Sequence, residues 1–523
     1  MLNKFIIFVP YCTVYEPYIV QCLSSIEAQD YTNYEIVIVN DGAKTVPFQS
    51  KYTVLNFDEN KGPGFSKWTF INHIQTNMDK YSIHDIAIIV DGDDYLSDTR
   101  ALSIINERYN ATNCWVTFGN AVGPFIDPDC KNIFNNLKVA VPRKRMIKYT
   151  DTQDITSVDI RNATWVFTHP RTFKLFLLLK LVEDNFKMGG EWLRKNTDRQ
   201  LIYNCVEWAG LSKCEYIGPV IYNYREHSLN SFKTHKQEYI MKTRNYTQNQ
   251  PPQQQIEDIH IVLCVWKRLQ HLPKQLDNLN EQTVSYRIVL HILNNNPDTL
   301  AEVETIILGE NRIRIRLSHY NNEYAGFQRF FYIRDNLLSN RHVIIIDDDQ
   351  LFAVDWVEKM YALRLPKTYT AWYIKRWDKC NDDKCNDDKC NICYWKGSSI
   401  MIYDCEKGTK RNIRFGHYGA TCGSIIDTTI FRVDSNLWDI PSDVPVSVYY
   451  GVEDLWLSYI LQANEWSIAR SFLPPICDIT ATDKEANSVS MCLVLRKEKQ
   501  LLLEYLMSLK GWQPSLHLGL ARL

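Results

Sequence analysis

The strongest constraint on the fold is a short apolar run that ends in a cluster of acids. Residues 85–90 read Asp-Ile-Ala-Ile-Ile-Val, and Asp91, Asp93 and Asp94 follow within four positions. A β-branched run of this length predicts a buried strand whose end lies at the ligand-binding edge of a parallel sheet. Three neighbouring carboxylates repel one another unless a cation lies among them. The cluster favours Mg²⁺ or Mn²⁺ bridging to phosphate oxygens, although a single acidic turn of this kind is more simply a solvated loop.

A second run of the same design occurs in the other half of the chain. Val343–Ile346 is apolar and ends in Asp347, Asp348 and Asp349. Three pairs of features are each 256 positions apart: Asp93 and Asp349, Asp198 and Asp454, Phe5 and Ile261. Equal spacings across separate features predict a tandem duplication of one architecture.

Strand and helix patterns alternate along both halves, which predicts an α/β fold with a doubly wound, mostly parallel sheet in each half. We expect a first domain over residues 1–242 and a Gln- and Pro-rich linker over 243–258, where periodicity is lost. A second domain would cover 259–490. An amphipathic C-terminal helix over 491–523 would pack on the second domain.

The second half contains an acidic, cysteine-rich insertion over residues 378–393. Its cysteines are Cys380, Cys385, Cys390 and Cys393. Because the unit KCNDD is repeated without change, expansion of a surface loop is the preferred interpretation. Four thiolates could also close a tetrahedral zinc site, so metal binding there stays open.

Composition excludes several classes of function. The chain has 523 residues, 59 basic and 61 acidic, and a net charge of −2, so nothing indicates a nucleic-acid partner. No apolar run is long enough to span a bilayer, and the N-terminus lacks the features of a signal peptide. We therefore expect a cytoplasmic protein whose 15 cysteines are free thiols.

The acids of the first half can be combined into one site. Asp41 ends the predicted strand Tyr34–Val39, Asp91 and Asp93 end a later strand, and Asp198 begins a predicted helix. A metal held by few protein carboxylates leaves room for a diphosphate, and a separate carboxylate could deprotonate an acceptor hydroxyl. Asp198 is the candidate base, although an acid at a helix start is also a common cap. This chemistry is transfer from a nucleoside-diphosphate-activated donor.

The motifs of residues 3–230 resemble family 2 glycosyltransferases of the GT-A fold. The matching segments are Pro10, Cys22-Leu23-Ser24-Ser25-Ile26, Gln29-Asp30-Tyr31, Asn40-Asp41-Gly42, Asn60-Lys61-Gly62 and Asp91-Gly92-Asp93-Asp94-Tyr95-Leu96. The resemblance implies a metal-dependent, inverting transfer of a sugar from a nucleotide sugar to a glycan, protein or small-molecule acceptor. The family's catalytic acid, usually preceded by Glu, matches Asp198, which here follows Thr197.

The resemblance also implies roles for individual residues. Asp41 would contact the base or ribose of the donor, Asp91 the nucleotide, and Asp93 the divalent ion, Mn²⁺ or Mg²⁺. Arg225 and His227 would touch diphosphate or acceptor, although a structural aromatic cluster explains that segment about as well.

The second half resembles the same fold more loosely. Asp347 and Asp349 would hold the metal, Asp454 would be the base, and Glu453 would contact substrate. Asn294-Asn295-Asn296 replaces the acidic turn of the second strand. The protein would then be a tandem, two-domain transferase with one active site per domain.

Three alternatives remain at this point. A nucleotidyltransferase or sugar-nucleotide pyrophosphorylase should open with a Gly-rich basic loop, which Tyr11-Cys12-Thr13 is not. A carbohydrate-binding protein that has lost transferase activity would keep the fold. A glycoside hydrolase needs two carboxylates but no acidic triplet, and ranks low.

Overall fold

The computed structural model divides the chain into two compact units, Met1–Ile256 and Glu257–Leu523. The residues it describes are 2–45, 51–122, 160–162, 165, 167–225, 227, 235–309, 312–375, 415–421, 423–433, 438, 453–478, 496–508 and 511–512. The cysteine-rich insertion at 378–393 lies outside these residues. Across the described segments, no helix combines the length and the apolar character that a membrane crossing requires.

The first unit is an α/β structure built on one mixed sheet. Its elements are β1 (Phe5–Tyr11), α1 (Ile19–Glu27), β2 (Tyr34–Asp41), β3 (Thr53–Phe57), α2 (Pro63–Thr76), β4 (Ile86–Ile89), β5 (Tyr95–Leu96), α3 (Ala101–Thr112), β6 (Val116–Val122), β7 (Arg171–Lys174), α4 (Leu175–Leu178), β8 (Lys187–Met188), β9 (Glu191–Trp192), α5 (Thr197–Ala209), β10 (Cys214–Asn223) and α6 (Gln237–Gln248). The sheet order is β3-β2-β1-β4-β7-β6-β10-β5. Strands β3, β2, β1 and β4 are parallel, and β7 is antiparallel to both its neighbours. β10 runs parallel to β6 and antiparallel to β5.

Strand β1 lies in the middle of the sheet with helices on both faces. All seven of its residues are buried. Phe8 stacks on Phe70 of α2, with 4.7 Å between ring centroids, while Ile7 and Val9 belong to the cluster that includes Leu23 of α1. A strand covered on both faces needs a nearly continuous apolar sequence, which is the pattern that predicted it. The predicted α/β fold is confirmed.

The second unit contains a sheet of seven strands. Its elements are β11 (Ile259–Val265), α7 (Leu272–Asn280), β12 (Ile288–Asn294), α8 (Leu300–Ile307), β13 (Arg314–His319), α9 (Gln328–Asn336), β14 (His342–Ile346), β15 (Gln350–Leu351), α10 (Trp356–Ala362), β16 (Thr368–Ala371), β17 (Ile374–Lys375), β18 (Tyr418–Gly419), β19 (Ser424–Asp427), α11 (Glu453–Ala463), β20 (Ser467–Arg470), β21 (Cys477–Asp478) and α12 (Arg496–Ser508). The sheet order is β13-β12-β11-β14-β19-β16-β20.

The two large sheets have the same topology over seven strands. In both, four parallel strands are followed by one antiparallel strand, β7 or β19, and then by two strands parallel to each other. Phe8 pairs with Ile89 in the first unit and Val262 with Ile345 in the second. If Ile89 is matched with Ile345, 256 positions later, their partners Phe8 and Val262 are matched with a spacing of 254. The opening strands are therefore 254 positions apart rather than 256, and β11 begins two residues before Ile261.

Two terminal segments pack on their own units. Helix α6 includes Thr243 and Thr247, which are buried although the sequence predicts a linker from 243. Asn196 Nδ2 donates to Thr243 Oγ1 at 2.8 Å, and Arg161 donates to the Thr247 carbonyl at 2.6 Å, which explains why these two threonines of a polar helix are buried. In the second unit, α12 places Leu502, Leu503 and Leu506 in the core.

Candidate active site

Two sets of close contacts fix the position of the acidic turn after β4. A Cβ atom on Gly92 would lie 2.6 Å from the carbonyl oxygen of Pro10, so only glycine allows the turn to lie against the end of β1. Asp94 is buried; its Oδ2 accepts from the Tyr222 hydroxyl at 2.8 Å and its Oδ1 from the Arg225 N–H at 2.8 Å. Asp94 thus anchors the turn and leaves Asp91 and Asp93 to face the site.

Asp93 lies beside an imidazole from the segment after β10. His227 Nε2 is 3.0 Å from Asp93 Oδ2, and Arg225 Nε donates to the Asp93 carbonyl at 2.9 Å. The His227 ring stacks on Tyr18, with 4.9 Å between centroids. The structure therefore brings the predicted residues Arg225 and His227 to the acidic turn.

Burial raises the pKa values of all three acids in this turn. The pKa of Asp91 rises to about 7; Lys67 opposes the rise, while Asp198 and Asp93 add to it. Burial raises the pKa of Asp93, against the effect of His227, and raises that of Asp94 well above its ordinary value. Buried carboxylates that repel each other form a site that gains from an added cation.

Asp198 lies in the first turn of α5 between two cations. Its Oδ1 is 3.0 Å from Lys67 Nζ on α2, and its Oδ2 is 2.7 Å from the Arg171 guanidinium at the start of β7. Burial raises the pKa of Asp198, but Lys67 and Arg171 outweigh burial and hold it well below its ordinary value. Asp198 is therefore ionised at neutral pH.

His169 completes this cluster and was not found from the sequence. Its Nε2 lies 3.9 Å from Asp91 Oδ2, and its ring stacks on Tyr222 at 4.7 Å. Burial, Arg171 and Lys67 hold its pKa well below the ordinary value, so the imidazole is neutral. Its buried Nδ1 has no hydrogen-bond partner among the described residues. No motif marks a histidine 78 positions after Asp91; only the fold of β7 beside β4 brings it there.

Lys67 and Arg171 were missed for the same reason, although Lys67 carried a weak signal. It is a cation in the middle of α2, where Phe65, Phe70 and Ile71 are buried, and it is itself only 5% exposed. A charged residue on the buried side of a helix is a site candidate once the helix face is known.

Asp41 holds the loop that leads into α2. Its Oδ1 accepts from the Lys61 N–H at 2.8 Å and its Oδ2 from the Gly62 N–H at 2.7 Å, with the Ser66 hydroxyl at 3.3 Å. Burial raises the pKa of Asp41, and these hydrogen bonds oppose the rise. Asp41 therefore fixes the helix that carries Lys67, while its predicted contact with the donor stays a prediction.

In the second unit, arginines bind the acidic triplet. Arg268 pairs with Asp348, and also with Asp349 at 2.6 Å. Arg329 of α9 lies 2.9 Å from Asp347 and 3.8 Å from Glu453. Two guanidinium groups of the chain itself thus offset part of the negative charge of the three acids.

Asp454, the predicted second base, lies among core residues. Its Oδ2 accepts from the Tyr418 hydroxyl and lies 3.4 Å from Lys499 Nζ of α12. Glu453, one residue earlier, is the acid that Arg329 approaches, and its buried Oε2 has no partner in the described part of the chain. Glu453 therefore shares Arg329 with Asp347 of the triplet, whereas Asp454 contacts Tyr418 and Lys499.

The two acidic clusters differ in how well they suit a divalent ion. Asp93 and His227 offer an oxygen and a nitrogen 3.0 Å apart, which is a donor set that Mn²⁺ accepts. Within the described residues, no three His, Cys, Asp or Glu side chains form a complete metal site. An ion there would need further oxygen atoms from a second molecule, as Mg²⁺ or Mn²⁺ does with phosphates. Asp347 and Asp349, bonded to arginines, do not fit the metal that the sequence predicted.

The family comparison falls on the segment that carries most of these acids. Residues 6–158 match the model described as glycosyl transferase family 2. This match covers Asp41, Asp91 and Asp93 and agrees with the resemblance seen in their motifs. Comparison with curated proteins finds no match.

Solved structures show only distant likeness. S. aureus TarS 1–349 in complex with UDP-GlcNAc is 15% identical, with a TM-score of 0.33 over 47% of this chain and 66% of that one. Mannosyltransferase PcManGT from Pyrobaculum calidifontis, in complex with GDP-Man and Mn²⁺, is 12% identical, with a TM-score of 0.31 over 49% and 65%. The chain spans less than two thirds of either structure, and neither likeness bears on function.

Proposed function

We propose that the first unit is a glycosyltransferase that moves a sugar from a nucleoside-diphosphate sugar to an acceptor hydroxyl. One observation carries the proposal. The acidic turn with Asp93 and His227 includes Asp91, which is close enough to Asp198 and Lys67 for their charges to shift its pKa. Lys67 and Arg171 already surround Asp198 with positive charge. A metal site, phosphate-binding cations and a base are what this transfer needs in one place. The family match over residues 6–158 supports the same conclusion.

Asp93 and His227 are the residues that would hold Mn²⁺ or Mg²⁺. When bound, the ion neutralises charge on the departing diphosphate. Asp91, whose pKa of about 7 reflects its burial and acidic neighbours, lies at the same turn and would orient the nucleotide. The buried cations Lys67 and Arg171 would contact the diphosphate from the side of α2 and β7.

The transfer itself would be a single displacement with inversion. The acceptor oxygen forms a bond to the anomeric carbon, and the bond from that carbon to the diphosphate oxygen breaks. The diphosphate leaves with the electron pair, and Asp198 takes the acceptor proton. Because Lys67 and Arg171 can bind either Asp198 or phosphate, a bound diphosphate that draws them away raises the basicity of Asp198.

The test is turnover with a panel of nucleotide sugars, with and without Mn²⁺, on the wild type and two variants. We expect Asp198→Asn to lower kcat by about 10²- to 10⁴-fold, the usual contribution of a general base. Asp93→Asn should remove metal-dependent turnover. Asp184→Asn, an exposed acid of the same unit, is the matched control and should behave as the wild type.

Two results would contradict the proposal. One is the lack of metal-dependent turnover of any nucleotide sugar by folded protein. The other is product in which the anomeric configuration is retained, which would exclude single displacement. Pyrophosphate exchange without sugar transfer would favour a nucleotidyltransferase instead. Binding of a sugar without turnover would favour a carbohydrate-binding protein.

A second active site in the second unit stays a prediction. The matching sheet order supports a common GT-A-like architecture. Its predicted base, Asp454, contacts Tyr418 and Lys499, whereas Glu453 shares Arg329 with Asp347 of the triplet. Glu453 is therefore the acid that we propose for any chemistry there. Loss of one of two products on Glu453→Gln would establish that site.

A further inference from the structure

The cations of the second acidic cluster come from the polypeptide. Arg268 follows β11 and reaches two consecutive acids, Asp348 and Asp349, through different guanidinium nitrogens. The Arg268 side chain is 17% exposed, and those of Asp348 and Asp349 are 11% and 10% exposed. This two-nitrogen contact is a geometry that arginine favours and that stays strong where water is largely excluded.

The corresponding loop of the first unit carries no such group. No Lys or Arg occurs between Lys4 and Lys44, so the connection after β1 cannot supply a cation to Asp93. After β11, by contrast, Lys267 and Arg268 follow within three residues of the strand end. In the first unit, whose acidic turn fits a metal, this loop has no cation. In the second unit, whose triplet does not fit a metal, the corresponding loop has one.

A second arginine binds the remaining acid. Arg329, buried in α9, lies 2.9 Å from Asp347 and 3.8 Å from Glu453, so it bridges the triplet to the start of α11. α9 precedes β14 as α2 precedes β4, and Lys67 of α2 binds the acid at the start of α5. In both units, a cation on the helix before the fourth strand of the sheet order approaches the acid at the start of a later helix. The Arg268 contact belongs to the second unit.

We infer that Arg268 occupies the cation position of the second acidic cluster and that this cluster binds no divalent metal ion. An ion that entered would have to displace a buried guanidinium from two carboxylates and then lie beside it, and both changes are unfavourable. The inference concerns the second unit only, and it stands whether or not the first unit transfers sugars.

The experiment counts bound Mn²⁺ in the full chain by EPR of the free ion, with saturating UDP or GDP present. Four proteins are compared: wild type, Asp349→Asn, Arg268→Met and the double variant. Differences between them are read, because Mn²⁺ bound elsewhere on the chain is common to all four. We expect Asp349→Asn to bind as many ions as the wild type. Arg268→Met should gain one ion, and the double variant should lose it again.

The inference is overturned if Asp349→Asn lowers the count by one, since the wild-type triplet would then hold an ion. It is also overturned if folded Arg268→Met gains none, because Arg268 would then not be what excludes metal. Arg268→Lys keeps the charge and should gain no ion. Asp349→Asn removes only a negative charge, so it keeps the test decisive should Arg268→Met fail to fold. A separate variant, Asp93→Asn, reports on the first unit, so failure of that metal site is distinguishable.

Discussion

Asp198 is the residue whose chemistry depends most on its immediate neighbours. A general base works best when its pKa is near the operating pH, yet Lys67 and Arg171 hold that of Asp198 well below its ordinary value. The two cations therefore hold Asp198 in its ionised form. In the proposed mechanism, its proton affinity would rise when an anion competes for the two cations.

Replacing Lys67 by methionine should raise the pKa of Asp198, because a cation that favours the ionised carboxylate is removed. We expect the acid limb of the kcat/KM profile to move to higher pH by about 1 to 3 units, the range that one neighbouring charge produces. Arg171 and the neutral His169 remain facing Asp198 in this variant. The profile of Lys67→Arg, which keeps the charge, should match the wild type more closely.

An unchanged acid limb in Lys67→Met, with kcat lowered, would show that Lys67 acts on the diphosphate alone. Movement of the limb to lower pH would contradict the sign of the charge effect.

At the scale of elements, the acidic turn depends on how closely it approaches β1. Gly92→Ala would place a Cβ atom 2.6 Å from the Pro10 carbonyl oxygen, and a strand backbone cannot move aside as a side chain can. We expect a loss of about 1 to 3 kcal/mol, the usual cost of overpacking, seen as a lower Tm, together with weaker Mn²⁺ binding. Gly218→Ala in β10 is the control, since an added Cβ there meets no atom within 4 Å. Equal Tm values for the two variants would contradict this account.

Two neighbouring strands of the second unit share a buried histidine pair. His260 Nδ1 of β11 lies 2.9 Å from His291 Nε2 of β12, and His291 Nδ1 lies 2.8 Å from the Tyr332 hydroxyl. Burial lowers the pKa of His260 to about 4 and that of His291 to about 3. Both are therefore neutral in the folded unit at pH values where the unfolded chain already binds protons.

Stability of the second unit should consequently fall as the pH falls from about 6.5 towards 4. In this window the unfolded state binds more protons than the folded state, so the free energy of unfolding decreases by about 1.4 kcal/mol per pH unit for each histidine. His291→Gln should reduce this slope, measured by chemical denaturation at several pH values. His319→Gln, at an exposed histidine of the same unit, is the matched control. A slope unchanged by His291→Gln would show that other groups cause the acid sensitivity.

The sequence predicts residues that lie within one element better than contacts that form between elements. Asp91 and Asp93 directly follow an apolar run in the sequence, so the strand and the acids at its end could be predicted together. Lys67 and Arg171 reach Asp198 only because α2, β7 and α5 meet at one place, and no spacing encodes that meeting. The same limit explains Asp454: the helix start was predicted correctly, but its contact with Lys499 of α12 depends on tertiary packing.

For the whole molecule, the result is one sheet topology used twice with different cations. The sheets agree in strand order, and each acidic cluster follows the fourth strand of the order, β4 or β14. The first cluster meets His227, which can share an ion, whereas the second meets Arg268, which already carries the charge. The two clusters differ in the loop after the opening strand: the loop after β11 supplies Arg268 to its cluster, and the loop after β1 contains no Lys or Arg.

This difference predicts how activity depends on metal for the intact chain. If the proposed function and the Arg268 inference both hold, turnover of a nucleotide sugar should rise with Mn²⁺ along a single hyperbola, because of the two acidic clusters only that of Asp93 and His227 would bind an activating ion. Arg268→Met, which frees the second triplet, should add a second phase to the titration or to Mn²⁺ binding under the same conditions. Two phases in the wild type that merge into one on Asp349→Asn would show that both clusters use metal. In that case, a bound ion would displace the arginines from the triplet, and their contacts would belong to the metal-free protein alone.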